Sequence, residues 1–330
     1  MSRAAFLLRR SLWTIVALWL VLSGTFFVFA YTPDPNLEVI KFYAADFDDS
    51  EEEAEEARKE AAEAYIEARN YDEPVLQRYG KWMVNYATLQ WGYSTSRGER
   101  VMSVFRKTVP ITLTYLVPAI LLSVLLGVSF GTYAATHQHG ILDRLGTTFA
   151  YTGLGIPIIF LGPALGVLAF DHLGWTIMSI DSRYGLYAPE NVGIFLLPAV
   201  VMTFQLAAVQ VRHTRAEGLE YVNAEFVKTF RAGGARTRDV ARHVLRNASL
   251  SLISLFFSET LAVLLVSIIV VEAVFPVPGL GAAMLTAFER RDIGLILATT
   301  MLPLVIGVVG NFLQDVLYAL IDPRVGYDAR

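Results

Sequence analysis

The chain of 330 residues contains no cysteine, which excludes disulfides and thiolate metal sites. It also contains no G-x-x-x-x-G-K-[ST] loop, so it has no recognisable means of binding a nucleotide. Its five histidines lie at spacings that form no metal-ligand set, and no nucleophile follows a strand in the way that hydrolases require. These absences predict a protein that is not an enzyme, with no catalytic residue, no metal site, no cofactor of its own and no nucleic-acid partner.

Long apolar runs dominate what is present. Hydrophobic residues make up 54% of the chain, which is too many for an ordinary soluble domain. Each run is long enough to cross a hydrocarbon core of about 30 Å, and in lipid the backbone must pair its own polar groups, so the runs should be helices. The sequence predicts an all-α, polytopic membrane protein with six transmembrane helices. The predicted spans are 12–31, 109–134, 146–170, 193–211, 250–271 and 293–320.

The basic residues are distributed unequally between the two sides of such a bundle. If the chain starts inside, the segments on the inner side carry 14 Lys and Arg, whereas the two short outer loops carry only Arg183, Arg290 and Arg291. This asymmetry predicts that both termini are cytoplasmic. The resulting divisions are the N-terminus and first span (1–31), an extracellular loop (32–108), a core of five spans (109–320) that contains a cytoplasmic loop (212–249), and a C-terminal tail (321–330).

The long outer loop is acidic. Its segment "DFDDSEEEAEEARKEAAEAYIEARN" is rich in Ala and Glu and offers the pair Glu55–Lys59 at i,i+4, which predicts a surface helix. A docking or metal-binding patch and a simple solvated helix are both compatible with this composition, and the composition favours the solvated helix. The sequence leaves the role of the insertion, about 36–75, open.

Two of the polar residues that fall inside predicted spans are candidates for a transport pathway, because burial of a polar group in lipid is costly. Glu259, in "LFFSETLAVLL", either lines a transport pathway or fixes helix packing. Gln205, in the fourth span, is a second candidate for the pathway.

The densest basic stretch is "VKTFRAGGARTRDVARHVLRN", residues 227–247, which carries six Lys or Arg against one Asp. "AEFVKTF" is amphipathic, Gly233-Gly234 interrupts it, and a second helical pattern resumes with Val240, Val244 and Leu245. The pattern therefore predicts a helix–break–helix unit, which could bind anionic lipid or present a short helix to a partner protein.

The surrounding segment "RHTRAEGLEYVNAEFVKTFRAGGARTRDVARHVLRN" resembles the cytoplasmic coupling loop of ABC-importer permeases in the dipeptide/oligopeptide/nickel branch. Arg212 and Arg215 match the R-x-x-R of that branch, and residues 226–234 match its next motif without a gap. Phe230, Gly233 and Ser251 depart from the pattern.

Further motifs follow in the order of that branch. "VEAVFPVPGLG" keeps the pattern E-x-x-F-x-x-P-G-L-G, "LQWGYS" resembles a G-x-S motif, Arg291-Asp292 resembles an R-D motif, and "NFLQDVLYALIDPR" fits N-x-x-x-D-x-x-Y-x-x-x-D-P-R. The resemblance covers nearly the whole chain outside about 36–75. The external motif consists of Glu272, Phe275, Pro278, Gly279 and Gly281.

The resemblance implies the type I ABC-importer permease fold, in the plasma membrane, with an extracellular insertion after the first helix. It implies one half of a translocation pathway for peptides, with nickel or an oligosaccharide as alternative cargo. The implied partners are ATP-binding subunits that hydrolyse ATP, a second and different permease, an extracellular substrate-binding protein and membrane lipid. A proton-coupled transporter or channel that uses Glu259 is the alternative from another class. The residues implied to contact the ATPase are Phe226, Lys228, Thr229, Arg231, Ala232, Gly234 and Arg242.

Overall fold

The computed structural model describes residues 3–44, 51–174, 180–181 and 183–321, and these residues form helices and one short β-hairpin. The helices before the hairpin are α1 (Arg3–Tyr31), α2 (Pro35–Ala44), α3 (Glu51–Ala68) and α4 (Val75–Ala87). The hairpin pairs β1 (Tyr93–Ser94) with β2 (Glu99–Arg100) in antiparallel register. The helices after it are α5 (Val101–Thr136), α6 (Ile141–Gly155), α7 (Ile158–Leu173), α8 (Val192–Val222), α9 (Glu225–Ala232), α10 (Thr237–Val274), α11 (Leu280–Glu289) and α12 (Ile293–Ile321).

Several helices are long and apolar enough to cross a membrane. Within the described part of the chain these are the stretches 4–44, 101–136, 189–222 and 293–321, and the bent pair α6–α7 provides a fifth. The fifth predicted span, 250–271, lies in α10, but the side chains at 258–266 lie outside the described residues. The all-α membrane fold is confirmed, whereas the count of six spans stays a prediction.

The predicted third span, 146–170, is not one straight helix. The structure divides it into α6 and α7, which meet at an angle of 110°. Ile156 lies at the break in an extended conformation and Pro157 follows it. Proline lacks a backbone N–H and disfavours helical geometry in the residue before it, so the apolar run bends where the sequence carries Ile-Pro.

The described chain divides into two compact units. The first comprises residues 1–11, 105–285 and 309–330. In it, α8 packs closely against α5: a Cβ on Gly127 would lie 2.2 Å from the Cβ of Gln210, and a Cβ on Gly131 would lie 2.5 Å from that of Thr214. Small residues at such positions let two backbones approach, as is common between membrane helices.

The second unit comprises residues 12–104 and 286–308. Its aromatic face forms where α4 packs on α1: the Tyr79 and Ser23 hydroxyls are 2.7 Å apart, and the Phe26 and Trp82 ring centroids are 5.5 Å apart.

The acidic insertion carries the expected surface helix, which is α3. The predicted ion pair forms, with Lys59 Nζ 3.0 Å from Glu55 Oε1. The end of α3 is tied to the start of α2 because the Tyr65 and Tyr71 hydroxyls donate to the Asp34 carboxylate, over 2.7 and 3.0 Å. The insertion is therefore folded onto the chain that follows α1.

Candidate functional site

The predicted helix–break–helix unit is present as α9, a tight turn and the first turns of α10; we call residues 225–246 the α9–α10 hairpin. The turn closes α9 with two backbone hydrogen bonds: the N–H of Ala235 donates to the Phe230 carbonyl, and the N–H of Gly234 donates to the Arg231 carbonyl. This pair of bonds is a Schellman motif, which requires a left-handed residue at its turn. Gly234 supplies that residue with φ +86°.

The start of α10 is also fixed. The Asp239 carboxylate accepts a hydrogen bond from the N–H of Arg236 over 3.2 Å, which satisfies a backbone donor at the beginning of the helix. Beneath the turn, Val227, Val240 and Val244 pack together, and each leaves at most 1% of its surface exposed. Each buried valine contributes about 1.5 kcal/mol or more to holding the two helices together. The α9–α10 hairpin is therefore a preformed unit with its own small core.

The seven residues assigned to the ATPase contact are all exposed on this hairpin, while Val227 between them is buried. Phe226 leaves 43% of its surface exposed. Lys228 pairs with Glu225 over 2.6 Å, whereas Arg231 and Arg242 make no ion pair with any described residue. A pocket lies at the turn, and its lining consists of Phe226, Thr229, Phe230, Gly233, Gly234, Ala235 and Asp239. An exposed aromatic ring, unpaired cations and a hollow on a rigid support can dock a partner.

An ion pair joins α8 to α6 near the point where α8 passes the hairpin, since a Cβ on Gly218 would lie 3.8 Å from the Val244 side chain. The Arg215 guanidinium donates to Asp143 through two nitrogens, over 2.6 and 3.2 Å, and the N–H of His139 donates to the same carboxylate. The Asp143 side chain is only 4% exposed. Such a bidentate pair fixes both distance and orientation, so α8 cannot easily rotate against α6 next to the hairpin.

The external motif forms a buried cluster at the other end of α10. Glu272 is 1% exposed, and its carboxylate accepts hydrogen bonds from the hydroxyls of Thr112 and Tyr115, over 2.6 and 3.0 Å, and from the N–H of Ala282 over 2.9 Å. The N–H of Leu280 donates to the Thr112 hydroxyl. The first N–H groups of a helix lack partners within it and favour negative charge. Glu272 and Thr112 therefore bind the N-terminus of α11 to α10 and α5.

The glycines of this motif make that approach possible. A Cβ on Gly279 would lie 2.3 Å from Glu272 Oε1, and a Cβ on Gly281 would lie 2.7 Å from the Ile268 carbonyl oxygen. Phe275 is buried at 2% exposure, and Pro278 lies exposed at the turn. The motif residues thus act together as one packed turn.

A single helix connects these two sites. The 38 residues of α10 begin just after the hairpin turn and end two residues beyond Glu272, over a length of about 57 Å at 1.5 Å per residue. The two pathway candidates are not brought together by any described contact. Gln205 accepts a hydrogen bond from the Ser267 hydroxyl over 3.3 Å, and the Glu259 side chain lies outside the described residues.

Sequence reasoning missed the partners of these charged groups. Thr112 and Tyr115 lie three residues apart in an apolar span, so they lie on one face of α5, and polar groups there were an available signal. Asp143 is the one acidic residue in the segment 135–145, and its pairing with Arg215 depends on how α6 and α8 pack. Among the described ranges, no three His, Asp or Glu side chains come together as metal ligands would.

Comparison with known proteins adds a family match. The model of the family described as "Binding-protein-dependent transport system inner membrane component" matches residues 127–327. The chain is similar to the oligopeptide transport system permease protein AppB of Bacillus subtilis (strain 168), with 30% identity over 80% of this chain and 85% of that protein. It is also similar to the oligopeptide transport system permease protein OppB of Haemophilus influenzae, with 25% identity over 98% and 99% of the two chains. The metal-staphylopine import system permease protein CntB of Staphylococcus aureus is 28% identical over 80% of this chain and 82% of that protein.

Proposed function

The chain belongs to the family of binding-protein-dependent transport system inner membrane components, and on that premise we propose that it forms half of a pathway for peptides. It is a permease subunit of an ABC importer, a transport component and not an enzyme, and the family match does not favour the proton-coupled alternative. Peptide cargo is supported by the relatives named for oligopeptide transport, AppB and OppB, whereas the relative named for metal-staphylopine import supports metal as the alternative cargo.

The α9–α10 hairpin transmits to the pathway the movement of the ATPase subunits that accompanies ATP hydrolysis. The observation that carries this proposal is the rigid turn at Gly234, with exposed Phe226 and Arg231 beside it on a fixed support. Phe226 offers apolar surface, and Arg231 offers a cation for acidic groups on an ATPase subunit. Because α10 continues from the hairpin to Glu272, a displacement of the hairpin reaches the opposite end of the pathway.

The remaining partners follow from the same role. A second, different permease subunit completes the pathway, and a substrate-binding protein delivers the peptide on the outer side. Both termini lie in the cytoplasm, as the inner excess of Lys and Arg supports.

Single introduced cysteines test the membrane orientation and the ATPase docking site, and no native cysteine competes for the reagent because the chain contains none. Glu60→Cys in α3 should react with a membrane-impermeant maleimide in intact cells, whereas Ala232→Cys in α9 should react only after permeabilisation. Both positions are exposed, so a difference in their labelling reports the side of the membrane and not their exposure.

The same cysteine tests the docking site. Bound ATPase subunits should protect Ala232→Cys from the reagent, and removal of those subunits should restore labelling. Labelling of Ala232→Cys from outside would refute the orientation, and equal labelling with and without the ATPase would refute the docking site.

A further inference from the structure

Helix α4 packs against the last third of α1, below the end of that helix. The hydroxyls of Ser23 and Tyr79 are 2.7 Å apart, and the rings of Phe27 and Tyr79 stack with their centroids 5.4 Å apart. Ser23 lies about two helical turns before Tyr31, the last residue of α1, so this contact is about 12 Å inside the end of the helix. The 29 residues of α1 extend about 44 Å, which matches a bilayer with its headgroups. The contact therefore lies near the boundary between headgroups and hydrocarbon.

The surface of α4 that does not face α1 carries two different stripes. Leu76, Gly80 and Val84 follow one another at intervals of four residues, so they lie on one side of the helix, and we call them the apolar stripe. Leu76 and Val84 leave 76% and 63% of their surfaces exposed. The neighbouring residues form an exposed polar stripe, which consists of Gln77, Lys81 and Asn85. Adjacent apolar and polar stripes are typical of a helix that lies in the plane of a membrane interface.

The charged groups of the acidic insertion gather on the polar side of α4. Lys81 pairs with Glu73, and the guanidinium carbon of Arg78 lies 4.7 Å from the centroid of the Tyr71 ring. Tyr71 in turn donates to the Asp34 carboxylate. These contacts hold the insertion on the side of α4 where charge can remain hydrated.

The side of α4 that faces α1 also positions the β1–β2 hairpin. The rings of Trp82 and Tyr86 stack with centroids 4.1 Å apart, and those of Tyr86 and Trp91 with centroids 5.3 Å apart. The indole N–H of buried Trp91 donates to the Tyr86 carbonyl over 3.0 Å. The next residue, Gly92, accepts a hydrogen bond from the N–H of Val101, which closes the hairpin. The depth of α4 in the membrane therefore sets the height of the hairpin.

We propose that the apolar stripe of α4 inserts among the lipids around the end of α1, so that α4 anchors the 32–108 loop in the membrane interface. Amphipathic helices bury their apolar face about 5–10 Å into this boundary, which agrees with the depth of the contact between α4 and α1. Val28 and Tyr31, which lie between that contact and the end of α1, are 65% and 74% exposed, so lipid can reach α1 at this depth. A soluble partner cannot reach a surface below the end of a span. The inference depends on neither the cargo nor the α9–α10 hairpin.

Spin labels test the proposal in the assembled importer, reconstituted in lipid nanodiscs with partner subunits that lack cysteine. Val84→Cys places a label on the apolar stripe, and Asn85→Cys places one on the polar stripe as the matched control. Oxygen concentrates in hydrocarbon, whereas a charge-neutral nickel chelate stays in water. We expect the ratio of oxygen to nickel collisions to be several-fold higher at position 84 than at position 85. Leu76→Cys and Gln77→Cys should show the same difference two turns earlier.

Two results would overturn the lipid anchor. Collision ratios that favour the nickel chelate equally at positions 84 and 85 would show that α4 lies in water. Low collision rates with both reagents at position 84 would show that a protein, such as the second permease subunit, covers the apolar stripe. Glu60→Cys in the exposed helix α3 provides the reference for a fully hydrated label. Capture of the ATPase subunits should be unchanged in all of these variants, so a failure of this proposal is distinguishable from a failure of the proposed function.

Discussion

Replacing Gly234 with valine is expected to separate the permease from its ATPase subunits, whereas replacing the adjacent Gly233 with alanine is not. Gly234 has φ +86°, a conformation that costs a side-chain-bearing residue about 1–2 kcal/mol and a β-branched residue more. No atom lies within 4 Å of a Cβ at this position, so the effect comes from the backbone and not from a clash within the chain. The Schellman turn should open, and α9, which carries Phe226 and Arg231, should lose its fixed position relative to α10.

The measurement is affinity capture of the solubilised complex through a tag on the permease. We expect Gly234→Val to reduce the captured ATPase about tenfold or more, which corresponds to about 1.4 kcal/mol. Gly233→Ala should capture a normal amount, because Gly233 has φ −78° and its Cβ would make an ordinary contact at 3.4 Å with the Phe230 carbonyl. The thermal unfolding midpoint of the permease should change little in either variant. Equal capture by both variants would show that the left-handed turn is not needed for docking.

Replacing Gly281 with alanine should destabilise the permease itself. The added Cβ would lie 2.7 Å from the Ile268 carbonyl oxygen and 2.9 Å from the Ile269 Cα, which are backbone atoms of α10 that cannot move aside. Overpacking of this kind costs about 1–3 kcal/mol. It should also displace Ala282 from the Glu272 carboxylate, so that buried polar groups lose their partners.

We expect Gly281→Ala to lower the yield of monodisperse protein and the midpoint of thermal unfolding in detergent. Gly307→Ala is the matched control, because a Cβ there would meet open space and alanine favours a helix over glycine. Glu272→Ala should resemble Gly281→Ala, since it removes the acceptor for Thr112, Tyr115 and Ala282. Unfolding midpoints for Gly281→Ala and Gly307→Ala that match the unaltered protein would mean that α11 is not held in this position.

The α9–α10 hairpin was predictable because its signals are local. A glycine pair follows an amphipathic heptapeptide, and a second helical pattern begins after it, so the break at Gly234 can be read without knowledge of the tertiary fold. The acidic helix α3 was predictable for the same reason, since its composition and the pair Glu55–Lys59 lie within one segment.

The features of the fold that the sequence did not predict were missed for physical reasons. The bend between α6 and α7 was missed because apolar content continues through it, although Pro157 carried a signal for a break. The Glu272 cluster could not be assembled from the sequence, because Thr112 lies 160 positions away and reaches the carboxylate only through helix packing. The hydrogen bond from Ser94 to Asp292 is likewise a long-range contact, even though each residue lies in a motif that the sequence analysis recognised.

Uptake of a labelled peptide into proteoliposomes that contain the assembled importer tests the central claim most directly. ATP is supplied on the side of the α9–α10 hairpin, the substrate-binding protein is supplied on the other side, and a protonophore abolishes any proton gradient. The account predicts that uptake requires ATP, persists with the protonophore, and stays within several-fold of normal in the variant Glu259→Gln. Uptake that is driven by a proton gradient without ATP, and that Glu259→Gln abolishes while the complex remains assembled, would contradict it.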